Sequence, residues 1–280
     1  MNCRMLFFVS MVVLLGGSVA LGQRGRIPAV PAHRFDLAFV PLYYDYAEEL
    51  PPPSKSTEYG WLPGFSAAYT YWGDAVPVYG LLSFDYAGGS LTYDGSVQDQ
   101  LGQVSPYMST SPAGVSKIQV RAGYIFKRVG GSALDLAAYT GYGHHFWSRN
   151  IAGGPPSGYL EEYSWSYLPL GVDAEWRFGE RWAIGLDLAL RFMVSGSIYI
   201  ERPEFGNPTL TLGNKPGWLI SLPVAFSVVR NWAVFVQFGY ETSAIGESNP
   251  STPDQNGQYI LEPSSSTSQF WISMGGRFQF

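Results

Sequence analysis

Three observations predict an all-β fold, a transmembrane antiparallel up-and-down β-barrel of about ten strands. Apolar residues alternate with small or polar ones over stretches of ten or more residues. Charged residues make up only 14% of the 280, while aromatics reach 16%. The links between the alternating stretches are by turns short and long. Soluble strands average about five or six residues, but a tilted strand that crosses a bilayer needs about 9–11. In hydrocarbon every backbone N–H and C=O must find a partner within the protein, and a closed sheet provides this without an edge. Eight and twelve are the neighbouring strand counts.

Residues 1–22 read as a secretory signal, with Arg4 as the positive start, Leu6 to Leu15 as the apolar run and Ala20-Leu21-Gly22 ahead of cleavage before Gln23. The single cysteine, Cys3, lies inside it, so no disulfide is expected in the remainder. Residues 23–33 form a short segment before the barrel domain, 34–280. The acidic balance, 17 Lys and Arg against 22 Asp and Glu, argues against nucleic acid as a partner. Abundant rings and modest net charge exclude a disordered chain. Beyond residue 25 no apolar run approaches the ~20 residues of a membrane helix.

The strands follow in order near 34–47, 61–72, 76–87, 115–127, 133–147, 160–178, 182–198, 216–229, 232–244 and 267–280. The period is clearest in the later ones. Trp182, Ile184, Leu186, Leu188, Leu190, Phe192 and Val194 share one face, and Ala183, Gly185, Asp187, Ala189, Arg191, Met193 and Ser195 the other. Trp232, Val234, Val236, Phe238 and Tyr240 repeat the pattern. Short links are Gly73-Asp74-Ala75, Arg128 to Ser132, Gly179-Glu180-Arg181 and Arg230-Asn231. Long loops are expected near 48–60, 88–114, 148–159, 199–215 and 245–266, where Pro51-Pro52-Pro53, Pro155-Pro156 and Ser264-Ser265-Ser266 suit loops. Ten crossings return both termini to the short-turn side. Rings at the strand ends suggest two aromatic girdles: Tyr43, Tyr44, Tyr46, Tyr142, Phe146, Trp147, Tyr163, Trp165 and Tyr167 at the long-loop border, Trp182 and Trp232 at the other.

The chain ends Ser273-Met274-Gly275-Gly276-Arg277-Phe278-Gln279-Phe280. Ser273, Gly275, Phe278 and Phe280 fill the positions of a polar residue, a glycine two later and two aromatics spaced by one. This resembles the C-terminal targeting signal of Gram-negative outer-membrane β-barrels. The resemblance implies residence in the cell outer membrane with both termini periplasmic. It also implies contact with outer-membrane lipid and recognition by the barrel-assembly machinery. In size and strand number the chain is similar to the omptin proteases, and in its many rings to the smaller OmpW-like pores.

Parity assigns a set of charged residues to the lumen. The acids are Asp36, Asp85, Asp135, Asp173, Glu175, Asp187 and Glu241; the bases are Lys117, Arg121, Lys127, Arg177, Arg191 and Arg277. A barrel this narrow is filled by side chains, and unpaired buried charges are costly, so these groups should pair. Asp187 and Arg191 lie roughly 13 Å apart along one strand at ~3.3 Å per residue, so each should pair across strands, with Asp173 a partner for Arg191 or Arg121.

Two functional readings follow. One is a small pore or transport-type barrel for small or amphipathic solutes, suggested by small residues among the lumen charges such as Gly185, Ala189, Ser221 and Gly239. The other is a structural or surface-interaction barrel with a plugged lumen. A third, an outer-membrane hydrolase, needs a base at the rim. His33 precedes the first strand, while His144 and His145 have opposite parity. Asp45, Asp94, Ser148, Glu161 and Glu162 are their nearest candidate partners. No cofactor or metal motif appears.

Overall fold

The computed structural model describes residues 32–73, 76–98, 102–127, 129, 133–151, 158–253 and 257–280. The expected signal 1–22, most of the segment 23–33, and parts of the links at 74–75, 128–132 and 152–157 lie outside the described residues.

Fourteen strands run in chain order: β1 (His33–Phe39), β2 (Leu42–Glu48), β3 (Ser56–Leu62), β4 (Gly64–Trp72), β5 (Val78–Gln98), β6 (Val104–Phe126), β7 (Leu134–Ile151), β8 (Tyr159–Phe178), β9 (Trp182–Ile200), β10 (Thr209–Thr211), β11 (Gly213–Asn214), β12 (Pro216–Val229), β13 (Trp232–Gly246) and β14 (Ser265–Gln279). They make ten crossings. β1 with β2, and β3 with β4, are each one crossing interrupted at Pro41 and Pro63, which lack an N–H for the ladder. β10 and β11 are short additions beside β9 and β13. Every neighbouring pair is antiparallel. The ring closes where β14 pairs with β13 on one side and with β1 and β2 on the other.

The outer face carries an apolar belt. Leu82, Val120, Leu170, Leu190, Val234 and Met274 are half exposed, Leu170 at 59%. Water would penalise such a continuous band, whereas lipid favours it. Rings bound the belt at both ends. Tyr43–Trp61 and Trp218–Tyr240 contacts, with centroids 5.4 and 5.1 Å apart, mark the long-loop border. Trp182–Phe226 and Trp232–Phe278 contacts, at 4.8 and 5.0 Å, mark the short-turn border.

Two sequence expectations are corrected. Tyr44, Tyr46, Trp147, Tyr163, Trp165 and Tyr167 do not join the outer girdle. All six are buried inside the lumen, as their parity with buried Leu42 and Val115 dictates. Girdle rings on that border come instead from Tyr43, Trp61, Tyr86, Tyr142 and Trp218. Secondly, the expected loop 88–114 is largely strand. β5 and β6 pair without interruption from Val78↔Tyr124 to Gln98↔Val104. At about 3.3 Å per residue their 21 and 23 residues reach roughly 70 Å, far beyond a ~25 Å apolar band. Gly88-Gly89-Ser90 and Pro112 look like loop residues, but beyond the membrane the outer face is wetted. Inward Leu91, Ala113 and Val115 continue the core there.

The core therefore sits inside the barrel. One cluster fills the long-loop half, and a smaller one around Trp72, Tyr79, Tyr139 and Leu219 lies below it. Inward glycines seat the rings. A Cβ on Gly239 would fall 2.0 Å from the Trp271 ring, and one on Gly143 2.2 Å from the Tyr167 ring.

Candidate functional site: the layered lumen

Inward side chains form four polar layers. At the short-turn end Arg277 bonds Asp36 through two nitrogens, Nε to Oδ1 and Nη2 to Oδ2, each 2.8 Å. The two residues are register partners across β1 and β14, and the paired geometry is that of a strong carboxylate–guanidinium bond. Arg34, from the start of β1, grips Glu175 through both terminal nitrogens. Arg177 Nε reaches Glu175 Oε1 at 2.9 Å and its Nη2 lies 3.8 Å from Asp135. Lys127 stands just past the end of β6.

The second layer holds Arg121, whose Nη1 bonds Asp187 Oδ2 at 2.7 Å and whose guanidinium lies 4.4 Å over the Tyr139 ring. Asp173 is the register partner of Asp187. It receives the Tyr79 hydroxyl at 3.2 Å rather than either arginine expected for it. Arg121 serves Asp187, and Arg191 is drawn one layer higher.

There Glu241 collects two cations, Lys117 at 2.8 Å and Arg191. Lys117 is also the register partner of Asp85. Arg191 lies 4.7 Å over Tyr167. His145 stacks on Trp165 at 4.1 Å, with its Nδ1 4.0 Å from Glu241, beyond hydrogen-bond reach.

The fourth layer lies above the apolar belt. Arg149, 2% exposed, stands among four carboxylates. Its Nε bonds Glu161 at 2.5 Å, while Glu48 and Glu58 stand at 3.3 and 3.8 Å. The loop between β13 and β14 folds over the mouth and supplies the fourth, Glu262. Ser248 and Ser251 tie that loop to itself, with Ser248 N–H donating to Glu262 O and Ser251 N–H to Ile260 O. Tyr46 and Tyr163 hydroxyls donate to the Glu262 carboxyl at 2.9 and 2.8 Å. Burial, then the nearby charges of Glu161 and Glu48, push this carboxyl up to about 8.

Two cavities open between the layers. A vestibule of about 910 Å³ lies at the short-turn end, lined by Arg177, Arg181 and Phe280 among others. A second cavity of about 200 Å³ lies above it, lined by Asp85, Gln119, Arg121, Asp173 and Gln269 among others. Arg34, Glu175, Ala183, Ala225 and Arg277 border both.

Sequence reasoning missed Arg34, Glu48, Glu58, Arg149 and Glu262. Arg34 shares parity with Asp36 inside the expected strand 34–47, so parity alone would have found it; Arg149 shares parity with His145 and lies two residues past the expected end at 147. Glu262 carries no such signal, because a loop has no parity. The histidines are separated. His144 faces outward between Ser166 and Ser164, at 3.1 and 3.2 Å, while His145 is buried. Among the described residues no group of three or more His, Cys, Asp or Glu is placed to hold a metal ion.

The terminal motif is part of the seam. Ser273 lines the inner cavity. A Cβ on Gly275 would lie 2.1 Å from Leu37 O, so glycine is required where β14 meets β1. Phe280 exchanges two backbone bonds of 3.0 Å with His33 and stacks on its ring.

No protein-family model matches the sequence, and no curated protein matches it. Among solved structures the chain is similar to the outer membrane protease OmpT from Escherichia coli, at 10% identity and a TM-score of 0.59, over 89% of this chain and 96% of that one. It is also similar to the translocator domain of the autotransporter NalP from Neisseria meningitidis, at 10% identity and a TM-score of 0.46, over 90% of each chain. This chain has the fold of an outer-membrane β-barrel.

Proposed function

We propose that the protein is a non-conducting barrel of the outer membrane, whose working surface is the strand-built extension at its long-loop end. The carrying observation is the plug in that half. Tyr46, Trp147 and Tyr163 are fully buried around Arg149, and the loop bearing Glu262 closes over them. Buried charges are held by partners on four crossings and one loop, an arrangement that stiffens a wall and leaves no bore. Small inward residues, which would favour a pore, seat rings instead: Trp271 lies against Gly239. The pore reading finds its support in the two cavities, which reach from the short-turn end to the level of Lys117 and His145, below the Arg149 plug.

With the short-turn end in the periplasm, β5 and β6 carry a rigid hairpin above the surface. Its outer face shows Ser90, Thr92, Asp94, Ser96 and Thr110. Such a platform suits recognition of a partner outside the cell. Lipid contacts the belt, and Ser273, Gly275, Phe278 and Phe280 are read by the assembly machinery.

Single-channel recording tests this reading. The refolded chain, shown to be folded by a heat-dependent shift in electrophoretic mobility, is placed in a planar bilayer. Silence is expected. Discrete, reproducible conductance steps from the folded species would overturn the closed lumen.

A further inference from the structure

The bonding around the inner cavity is lopsided. Four of its five acids are served: Asp36 by Arg277, Glu175 by Arg34 and Arg177, Asp187 by Arg121 and Tyr139, and Asp173 by Tyr79, while the fifth, Asp85, stands across the ladder from Lys117. Its donors are not. Arg121 gives Nη2 to Gln119 Oε1 at 3.0 Å, which turns the Gln119 amide so that its Nε2 points elsewhere. That Nε2 meets no acceptor, and neither do Gln269 Nε2 or the Nε atoms of Arg34, Arg121 and Arg191. All five side chains line the cavity and are more than nine-tenths buried. A buried N–H without an acceptor is costly, and five around one cavity ask for a molecule that brings acceptors.

We propose that this cavity binds a small oxyanion, a carboxylate or phosphate, entering from the short-turn end. An oxyanion carries acceptors alone, and its bonds to Arg are charge-assisted. A cation offers these donors nothing. The position within the cavity follows from the charges. Asp173 and Asp187 lie one layer lower, so the anion sits toward Lys117. Gln119 is two residues from Lys117 on β6, and Gln269 is the register partner of Glu241, which Lys117 bonds. Both free amides therefore stand at the level of that ammonium. Asp85, opposite Lys117, limits the site to an anion of low charge. Entry runs through the vestibule, past the shared border at Arg34 and Arg277. This inference goes beyond the closed-barrel reading and stands whether or not the lumen conducts.

Calorimetric titration of the folded chain in detergent tests it, with inorganic phosphate and acetate as probes and tetramethylammonium chloride as the cation control. Saturable binding of phosphate or acetate, and none of the cation, is expected. Gln119→Glu and Gln269→Glu each keep the shape but replace a donor with a charged acceptor, and each should weaken the anion about tenfold or more. If a variant does not fold, the wild-type titration decides by itself, with fluorescence of the cavity residues Trp72 and Trp271 as a second readout. Absence of saturable binding by both anions overturns the proposal. So does equal binding of the cation, or unchanged affinity in a folded Gln119→Glu variant.

Discussion

Asp36 and Arg277 face each other across the seam that closes the barrel, joined by two bonds of 2.8 Å between the first crossing and the last. The two residues are 241 positions apart in sequence. Backbone pairing brings the strands together, and this pair fixes their register from inside. A one-residue slip of either strand would turn its charge outward and leave the other without its partner. Asp36→Asn or Arg277→Met leaves one charge buried without its partner. Either change should lower stability by about 3 kcal/mol, read as a lower urea midpoint for loss of the heat-shifted folded band. Exchanging the two residues should recover part of the loss. Unchanged midpoints for both single variants would show that the pair does not hold the seam.

Gly239 and Trp271 test whether the lumen is packed or roomy. The Trp271 ring occupies the space a side chain at Gly239, its register partner, would need, and Lys117 stands 5.4 Å over the same ring. A methyl group has no space there. Gly239→Ala should destabilise the barrel by about 1–3 kcal/mol, as overpacking does. Combining it with Trp271→Ala should give less than the sum of the two single losses. The readout is urea unfolding followed by electrophoretic mobility. Additive losses would mean that the two positions do not touch.

Much of this interior is legible in sequence because alternation is local. Asp187 and Arg191 must share a face whatever the neighbouring strands do. Their partners are not legible. Arg121 meets Asp187, and Arg191 meets Glu241, because of the stagger between strands, which no single strand encodes. Height along a strand also misleads without parity. Tyr43 and Tyr44 are adjacent, yet one borders the membrane and the other lies in the core. Strand ends are hidden for another reason. Above the membrane the outer face turns polar, so Ser90, Thr92 and Asp94 read as loop although the ladder continues. Arg149 and Glu58 lie in those hidden extensions.

Arg149 stands among Glu48, Glu58, Glu161 and Glu262 and bonds or faces each of the first three directly. Arg149→Leu keeps much of the volume but leaves these buried carboxylates to repel one another. The expected cost is about 3–5 kcal/mol, with faster protease cleavage in the loop between β13 and β14. Arg149→Lys should recover little, because an ammonium lacks the planar fork that now reaches several partners at once. A fully stable Arg149→Leu variant would mean that the rings alone close the long-loop half.

Glu262 makes that closure depend on pH. Its carboxyl titrates near about 8 when the loop is docked, raised by burial and by the charges of Glu161 and Glu48. In the released loop it returns to the ordinary value of about 4.3. The docked state thus holds a proton that the released state gives up. Between those two values docking weakens as pH rises; below about 4 and above about 8 this contribution is flat. Other groups face Glu262 from each packed element: Tyr46 and Glu48 from β2, Arg149 from β7, and Glu161 and Tyr163 from β8. Hydrogen exchange at the Ser248, Ser251 and Glu262 amides, corrected for the intrinsic rate, should therefore reveal more frequent opening as pH is raised from about 5 to about 8. Glu262→Gln keeps an acceptor for Tyr46 and Tyr163 but cannot ionise, so its opening should not vary over this range. An identical pH response in that variant would place the titrating group elsewhere in the cluster.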